Sequence, residues 1–275
     1  MKVSQVFFYS LFAVFVLFTC PARSAKEVED ESEFNYEEGS DKGPSRWGYI
    51  RPDWHDCKNG KMQSPIDLLN KRVEIVPHLG LTHTKYHPSN ATIRNRGHDI
   101  ILEWADGAGY LVINGTNYVL QQCHWHSPSE HSIDGKRFDL ELHMVHESSA
   151  GETVVIGIMY KIGKPDPFLS SLTDHLRAIS DTTDAERVVS TVDPNDIKIR
   201  SIHNPHYKYI GSLTIPPCTE NVVWNIARKV RTVSKEQVRL LRVAVHDESD
   251  TNARPLQPTN NRLVQLYKPK DPEED

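Results

Sequence analysis

Residues 121–126 read Gln-Gln-Cys-His-Trp-His, and Glu141-Leu142-His143 follows a short distance downstream. In an extended strand, side chains two apart share a face. His124 and His126 therefore point the same way, with imidazoles close enough to hold one ion. His143 falls in the next predicted strand, beyond a polar connection through Asp134-Gly135-Lys136. Pairing of the two strands brings a third imidazole to the same face. Three neutral imidazoles without a fourth protein ligand describe a catalytic Zn2+ site with one position left open, whereas structural zinc sites usually close with four ligands, often cysteines. Gln122 lies two before His124, and Glu141 two before His143, so both share the ligand face. Each can accept a hydrogen bond from a non-ligating ring nitrogen, which fixes the tautomer and turns the ring. Cys123 alternates with that face and points into the core, so it is not expected as a ligand. A lone His-x-His in a strand is more often a surface or core pair; the third histidine, with Gln and Glu on matching parity, carries the metal reading.

The elements that must position these residues are mostly strands. Residues 99–105, 110–113 and 118–122 read as successive strands, with hairpin signals Asp106-Gly107 and Asn114-Gly115 between them. Residues 138–146 and 153–162 add two more, the second nearly all apolar and hence central. Helical patterns are few: residues 168–179, and residues 234–245 opened by a capping box of Ser234 and Gln237. There is no internal repeat and no long linker. With 275 residues and 38% hydrophobic content, the chain suits one large core. The fold class expected is mainly β (α+β): a single domain on a large, mostly antiparallel sheet with small peripheral helices.

Net charge is −5 and no basic stripe is present, which argues against a nucleic-acid partner. Lys2, the apolar run 6–18 and small residues near position 24 read as a signal peptide over 1–24. The run is too short to span a bilayer and no stop-transfer pattern follows, so no membrane anchor is expected. Residues 25–45 are acidic and read as a solvated, flexible leader; the globular domain is expected over 46–268, with an acidic tail at 269–275. That tail carries neither a lipid-anchor signal nor an ER-retention tetrapeptide. Export to the extracellular space is the expectation, and Asn90 and Asn114 head glycosylation sequons. Cys20 leaves with the signal. Cys57, Cys123 and Cys218 remain, allowing at most one disulfide and leaving one thiol.

Ser129-Glu130-His131-Ser132-Ile133, Phe138 and Glu141-Leu142-His143-Met144-Val145 resemble the signature of the alpha-type carbonic anhydrases. Trp47-Gly48-Tyr49, Gln63-Ser64-Pro65-Ile66-Asp67, Asn95-Arg96-Gly97-His98, residues 211–217 and Asn252-Ala253-Arg254-Pro255 follow in family order, and residues 124–131 are similar to the plant branch. The resemblance implies a ten-stranded twisted sheet and a zinc lyase that hydrates carbon dioxide reversibly to bicarbonate and a proton, through a zinc-bound hydroxide on His124, His126 and His143. It implies that Thr214 accepts from that hydroxide and donates to Glu130, and that His98 carries the proton out, with Tyr49, Asn95 and Arg96 along the water path. Val145, Val155, Leu213, Val222 and Trp224 would form the apolar wall for carbon dioxide. Cys57 and Cys218 would form the disulfide of secreted members. Two positions depart from the best-known members. Ile215, where many relatives are polar, is expected to narrow the cleft beside Thr214. Arg96 replaces a neutral amide, and its charge is expected to disfavour imidazolium at His98. Noncatalytic relatives that serve in storage or binding typically lose a zinc ligand or the shuttle; here the ligands, Glu130, Thr214 and His98 are all present. Esterase activity would be a side reaction of the same nucleophile. Small-molecule substrate aside, the only partner expected is a second copy in a weak homodimer, if the chain is not a monomer. Some plant relatives reach the chloroplast by the secretory route, which is the alternative destination.

Overall fold

The structure is a computed structural model that describes residues 27, 31–77, 82–199, 205–243 and 251–269. The expected signal peptide lies outside the described residues, as does nearly all of the acidic tail. Among the described residues thirteen strands form the main sheet: β1 Glu74–Val76, β2 Thr82–Tyr86, β3 Ser89–Asn95, β4 Ile100–Trp104, β5 Gly109–Ile113, β6 Thr116–His126, β7 Leu140–Ser148, β8 Thr153–Ile162, β9 Glu186–Val192, β10 His206–Ser212, β11 Glu220–Ala227, β12 Arg231–Val233 and β13 Gln265–Tyr267. The path through the sheet runs β9-β3-β4-β6-β7-β8-β11-β10-β13-β1, with β12 beside β8 and the β2–β5 pair attached through β6.

The sheet is mixed rather than uniformly antiparallel. β8 pairs parallel to β11 and β12, and β13 pairs parallel to β1. Strands joined by hairpins must run antiparallel, and the local turn signals reveal only those. The parallel pairs join segments separated by long connections, which no turn motif announces. β8 sits between β7 and β11 with its first eight residues all buried, which is why it reads as a continuous apolar run.

Alternation along the central strands divides the core. Cys123, Trp125, Leu142 and Met144 belong to the larger cluster on one face. Val145, Val155, Leu213, Val222 and Trp224 belong to a second cluster on the other. The helical stretch at 168–179 is two short helices, Pro167–Ser171 and Thr173–Ile179. Asp166 caps the first by accepting from the Leu169 N–H at 3.0 Å, and Leu172 closes it by donating back to the Leu169 carbonyl. Helix Lys235–Val243 opens on the capping box: the Gln237 N–H donates to Ser234 Oγ, and the Ser234 N–H to Gln237 Oε1. No described helix is long and apolar enough to cross a membrane.

The segment expected to be a flexible leader is docked over its described part. Phe34 and Tyr36 are buried with Trp47, Trp54, Cys57, Ile215 and Cys218 in a third cluster. Trp47 Nε1 donates to the carbonyls of Asn35 and Lys42. Charge density conceals these two aromatics, each of which removes a large apolar surface from water.

Candidate metal centre and its surroundings

The antiparallel register of β6 and β7 sets His143 opposite His124, and Glu141 opposite His126. All three histidines are buried. Each uses one ring nitrogen as a donor to a fixed oxygen. His124 Nδ1 donates to Gln122 Oε1 at 2.9 Å, His126 Nδ1 to the Asn252 carbonyl at 2.7 Å, and His143 Nε2 to Glu141 Oε1 at 2.9 Å. In the neutral rings this leaves His124 Nε2, His126 Nε2 and His143 Nδ1 as the nitrogens with free lone pairs. One ring nitrogen from each of the three residues lies within 4.8 Å of the others. His126 Nε2 is buried without a hydrogen-bond partner among the described residues. Three converging aprotic nitrogens, each ring held from behind, fit a divalent cation with nitrogen preference.

The electrostatics favour the neutral ring for two of these histidines and oppose it for the third. Burial holds His124 well below the ordinary imidazole value despite the nearby Asp99 carboxylate. Burial likewise lowers His143 against the pull of Glu141. Both rings are therefore neutral at neutral pH. Burial also disfavours the His126 charge, but Glu130 and the Asn252 carbonyl outweigh it and raise that group; a cation in the centre would reverse the balance.

Behind His143 lies a continuous polar chain. Glu141 Oε1 also accepts from His131 Nδ1 at 2.8 Å, and Oε2 accepts the His131 N–H at 2.9 Å. His131 Nε2 accepts from the Tyr209 hydroxyl at 2.7 Å, which lies 2.8 Å from Ser64 Oγ. Burial alone would raise Glu141, but His131 and His143 hold it well below the usual carboxylate range. Gly157 faces His143 across the β7–β8 pair. A Cβ there would meet Ile226 Cδ1 at 2.5 Å and Glu141 Oε1 at 3.1 Å, so glycine keeps this carboxylate in place.

Asn252 and Arg254 also matter, and the two-residue periodicity could not reach them because they come from a distant loop. Besides holding His126, Asn252 accepts the Ser127 N–H and donates to the carbonyls of His98 and Trp125. The Arg254 N–H donates to Glu130 Oε1 at 2.9 Å, and its guanidinium, buried and pushed down to about 10 by that burial, binds Gln63 Oε1, the Ser64 carbonyl and the Cys57 carbonyl. Glu130 Oε2 lies 3.7 Å from His126 Nε2 and has no hydrogen-bond partner among the described residues. The Thr214–Glu130 hydrogen bond is thus not formed at that oxygen, although Thr214 is buried.

The five apolar residues singled out from the sequence share one cluster. Val145 pairs with Val155, Val155 with Trp224, and the Trp224 ring lies 4.8 Å from that of His143. Ile215 is not among them; it packs in the aromatic cluster with Phe34 and Tyr36. Cys57 and Cys218 form a disulfide, and Cys123 is buried and free, its thiol pushed up by burial.

The expected water path is rearranged. Tyr49 is 59% exposed, with the Lys58 ammonium 3.9 Å over its ring, so it faces solvent rather than the site. Asn95 is a buried loop clamp: it donates to the Ile179 carbonyl and accepts the Gly97 N–H. Arg96 does not present a lone charge to His98. It makes a two-pronged bond to Asp99 at 2.7 and 2.6 Å and a third bond to Glu27 at 3.0 Å. Two carboxylates thus face one guanidinium, because the Asp99 side chain and the leader both fold onto it. His98 is 1% exposed, 3.7 Å from Asp99 Oδ1, with its ring 5.0 Å from that of Phe34.

Residues 42–268 match the model of the eukaryotic-type carbonic anhydrase family. Over 270 residues the chain is 55% identical to alpha carbonic anhydrase 7 of Arabidopsis thaliana, covering 98% of each chain. Among solved structures it is similar to dioscorin complexed with ascorbate (TM-score 0.83, 43% identity, 87% of this chain and 99% of that one). It is also similar to the alpha-carbonic anhydrase of Thermovibrio ammonificans with sulfanilamide (TM-score 0.76, 33% identity, 84% and 98%).

Proposed function

The chain belongs to the eukaryotic-type carbonic anhydrase family and is a carbonic anhydrase, and we propose that it hydrates carbon dioxide to bicarbonate and a proton at a zinc ion held by His124, His126 and His143. The single observation that carries this reading is the convergence of three buried, aprotic ring nitrogens, each ring fixed by a separate acceptor. Bound zinc lowers the pKa of its water to about 7, the value known for carbonic anhydrase itself, and so supplies a hydroxide nucleophile at neutral pH.

The residues around it orient and hold. The cluster of Val145, Val155, Leu213, Val222 and Trp224 gives the weakly polar gas an apolar surface beside His143. Glu130 has one carboxylate oxygen already taken by Arg254 and the other free of partners among the described residues. A Thr214 hydroxyl donating to that free oxygen would be left as an acceptor only, selecting a donor on the reacting side. His98 carries the proton away, as the one residue type with an ordinary value near neutrality. The disulfide fits an oxidising compartment, in keeping with export or with the chloroplast as alternative. Asn90 and Asn114 are both exposed, Asn114 at a hairpin tip, and are proposed glycan sites.

Stopped-flow carbon dioxide hydration tests the reading. The zinc-loaded protein is expected to hydrate carbon dioxide far above background, and His98→Ala to slow turnover in weak buffer with rescue by imidazole. A zinc-loaded protein at the background rate would overturn the activity; no imidazole rescue would overturn the role of His98.

A further inference from the structure

The described residues that precede the family-matched region at 42–268 are not idle. Glu27 reaches Arg96 Nη1 at 3.0 Å, and the two side chains are 13% and 1% exposed. Phe34 lies 5.0 Å from the His98 ring and edge-on to Trp47 at 5.5 Å. Phe34 and Tyr36 share a cluster with Ile215, the neighbour of Thr214. The segment is pinned from several sides. The Asn35 N–H bonds the Lys42 carbonyl at 2.9 Å, Lys42 Nζ the Ser32 carbonyl at 2.6 Å, and Arg51 Nη1 meets Glu33 Oε2 at 2.7 Å. Burying the Glu27 carboxylate costs desolvation, which Arg96 partly offsets.

A proton carrier must meet bulk buffer to finish its task, yet His98 is sealed beneath this segment. We infer that Glu27 and Phe34 are positioning residues: Glu27, through Arg96, and Phe34, within residues 31–36, latch over His98, and the opening of that latch gates proton release to buffer. This rests on the carbonic anhydrase reading above and on His98 as its proton carrier. The latch leaves the metal ligands and the Trp224 wall untouched, so it should act on turnover rather than on capture of carbon dioxide. Steps after the first irreversible one appear in kcat and not in kcat/KM, and a gate on product release belongs to that group.

The test compares the full exported chain with its Phe34→Ala, Phe34→Leu and Glu27→Gln variants, all zinc-loaded. Phe34→Ala should raise kcat in weak buffer by about threefold or more while leaving kcat/KM near the parent value. Glu27→Gln should move in the same direction by less, and Phe34→Leu, which keeps the apolar cover, should stay near the parent. Independently of turnover, carbethoxylation of His98 by diethyl pyrocarbonate, mapped by peptide mass spectrometry, should quicken about tenfold in Phe34→Ala, as expected when a local cover opens. An unchanged labelling rate, or a weak-buffer kcat that is unchanged or lower, would overturn the latch. Were no variant to hydrate carbon dioxide, the labelling would still decide whether Phe34 and Glu27 cover His98, separating that failure from failure of the function. Should Phe34→Ala not fold, Glu27→Gln carries both readouts alone.

Discussion

Replacing Glu141 by glutamine removes one charge and changes one atom, and the consequences can be worked from the structure. The carboxylate is fully buried and accepts three N–H groups: the His131 and His143 ring donors on Oε1 and the His131 N–H on Oε2. A carboxylate is all acceptor, and a carboxamide is half donor. Whichever way the amide is turned, its NH2 faces at least one of these buried N–H groups. Leaving a buried donor unsatisfied costs about 1–3 kcal/mol. The His143 ring also loses the charge that anchors its N–H, and losses of this kind weaken metal binding about 10- to 100-fold, or about 1.4–2.7 kcal/mol. Neither cost reaches the roughly 5–15 kcal/mol that holds a domain folded, so the variant should fold and can be assayed. Chelator competition gives the zinc Kd, and calorimetry of the metal-free protein gives Tm. The expected result is a Kd raised about 10- to 100-fold and a metal-free Tm lower by about 2–10 °C. A variant with parental Kd and parental Tm would refute the claim that this carboxylate organises the centre.

Three further outcomes are expected. His146 is buried, accepts from the Tyr86 hydroxyl at 2.7 Å, and is pushed down to about 4 by that burial from an ordinary 6.5. Between those values the unfolded chain binds the extra proton, so stability should be intact above pH 6.5 and fall by up to about 3 kcal/mol as pH drops toward 4; urea titrations of parent and His146→Gln should differ in that slope, and parallel curves would contradict it. The Cys57–Cys218 bond closes a loop with a separation of 161 residues, worth about 5 kcal/mol in the chain-entropy model. Reduction should therefore lower the urea midpoint sharply, and an unmoved midpoint would show that the bond does not constrain the unfolded chain. Thr214→Val should lower kcat/KM by about 100-fold, the scale for losing one oriented polar group beside a reacting centre, with unchanged zinc content; a parental kcat/KM would remove Thr214 from the reaction.

Much of the centre is legible in the sequence because strand periodicity is short-range. His124, His126, Gln122 and Cys123 sit within one strand, and parity alone assigns their faces. His143 and Glu141 need only the next assumption, that neighbouring strands pair. Periodicity cannot find Asn252, which holds His126 from a loop 126 positions away, nor Tyr209, which meets His131 across 78 positions. The same blindness hides the parallel pairing of β8 with β11. The leader misleads for a different reason: its many acidic residues dominate its composition, and its two aromatics decide its structure. Phe34 and Tyr36 bury rings against Trp47, and burying such apolar area offsets the entropy of ordering a short segment. Arg96 looks like a lone charge as long as Asp99 is read only as the first residue of a strand, whereas Asp99 closes back on the guanidinium from the adjoining turn.

Zinc K-edge absorption of the metal-free protein loaded with one equivalent of zinc tests the centre most directly. Three imidazole nitrogens at about 2.0–2.1 Å and one exchangeable oxygen are expected, with one imidazole lost in each of His124→Ala, His126→Ala and His143→Ala. A sulfur neighbour, a fourth protein donor, or a parental spectrum in any of those variants would contradict a centre built on these three rings.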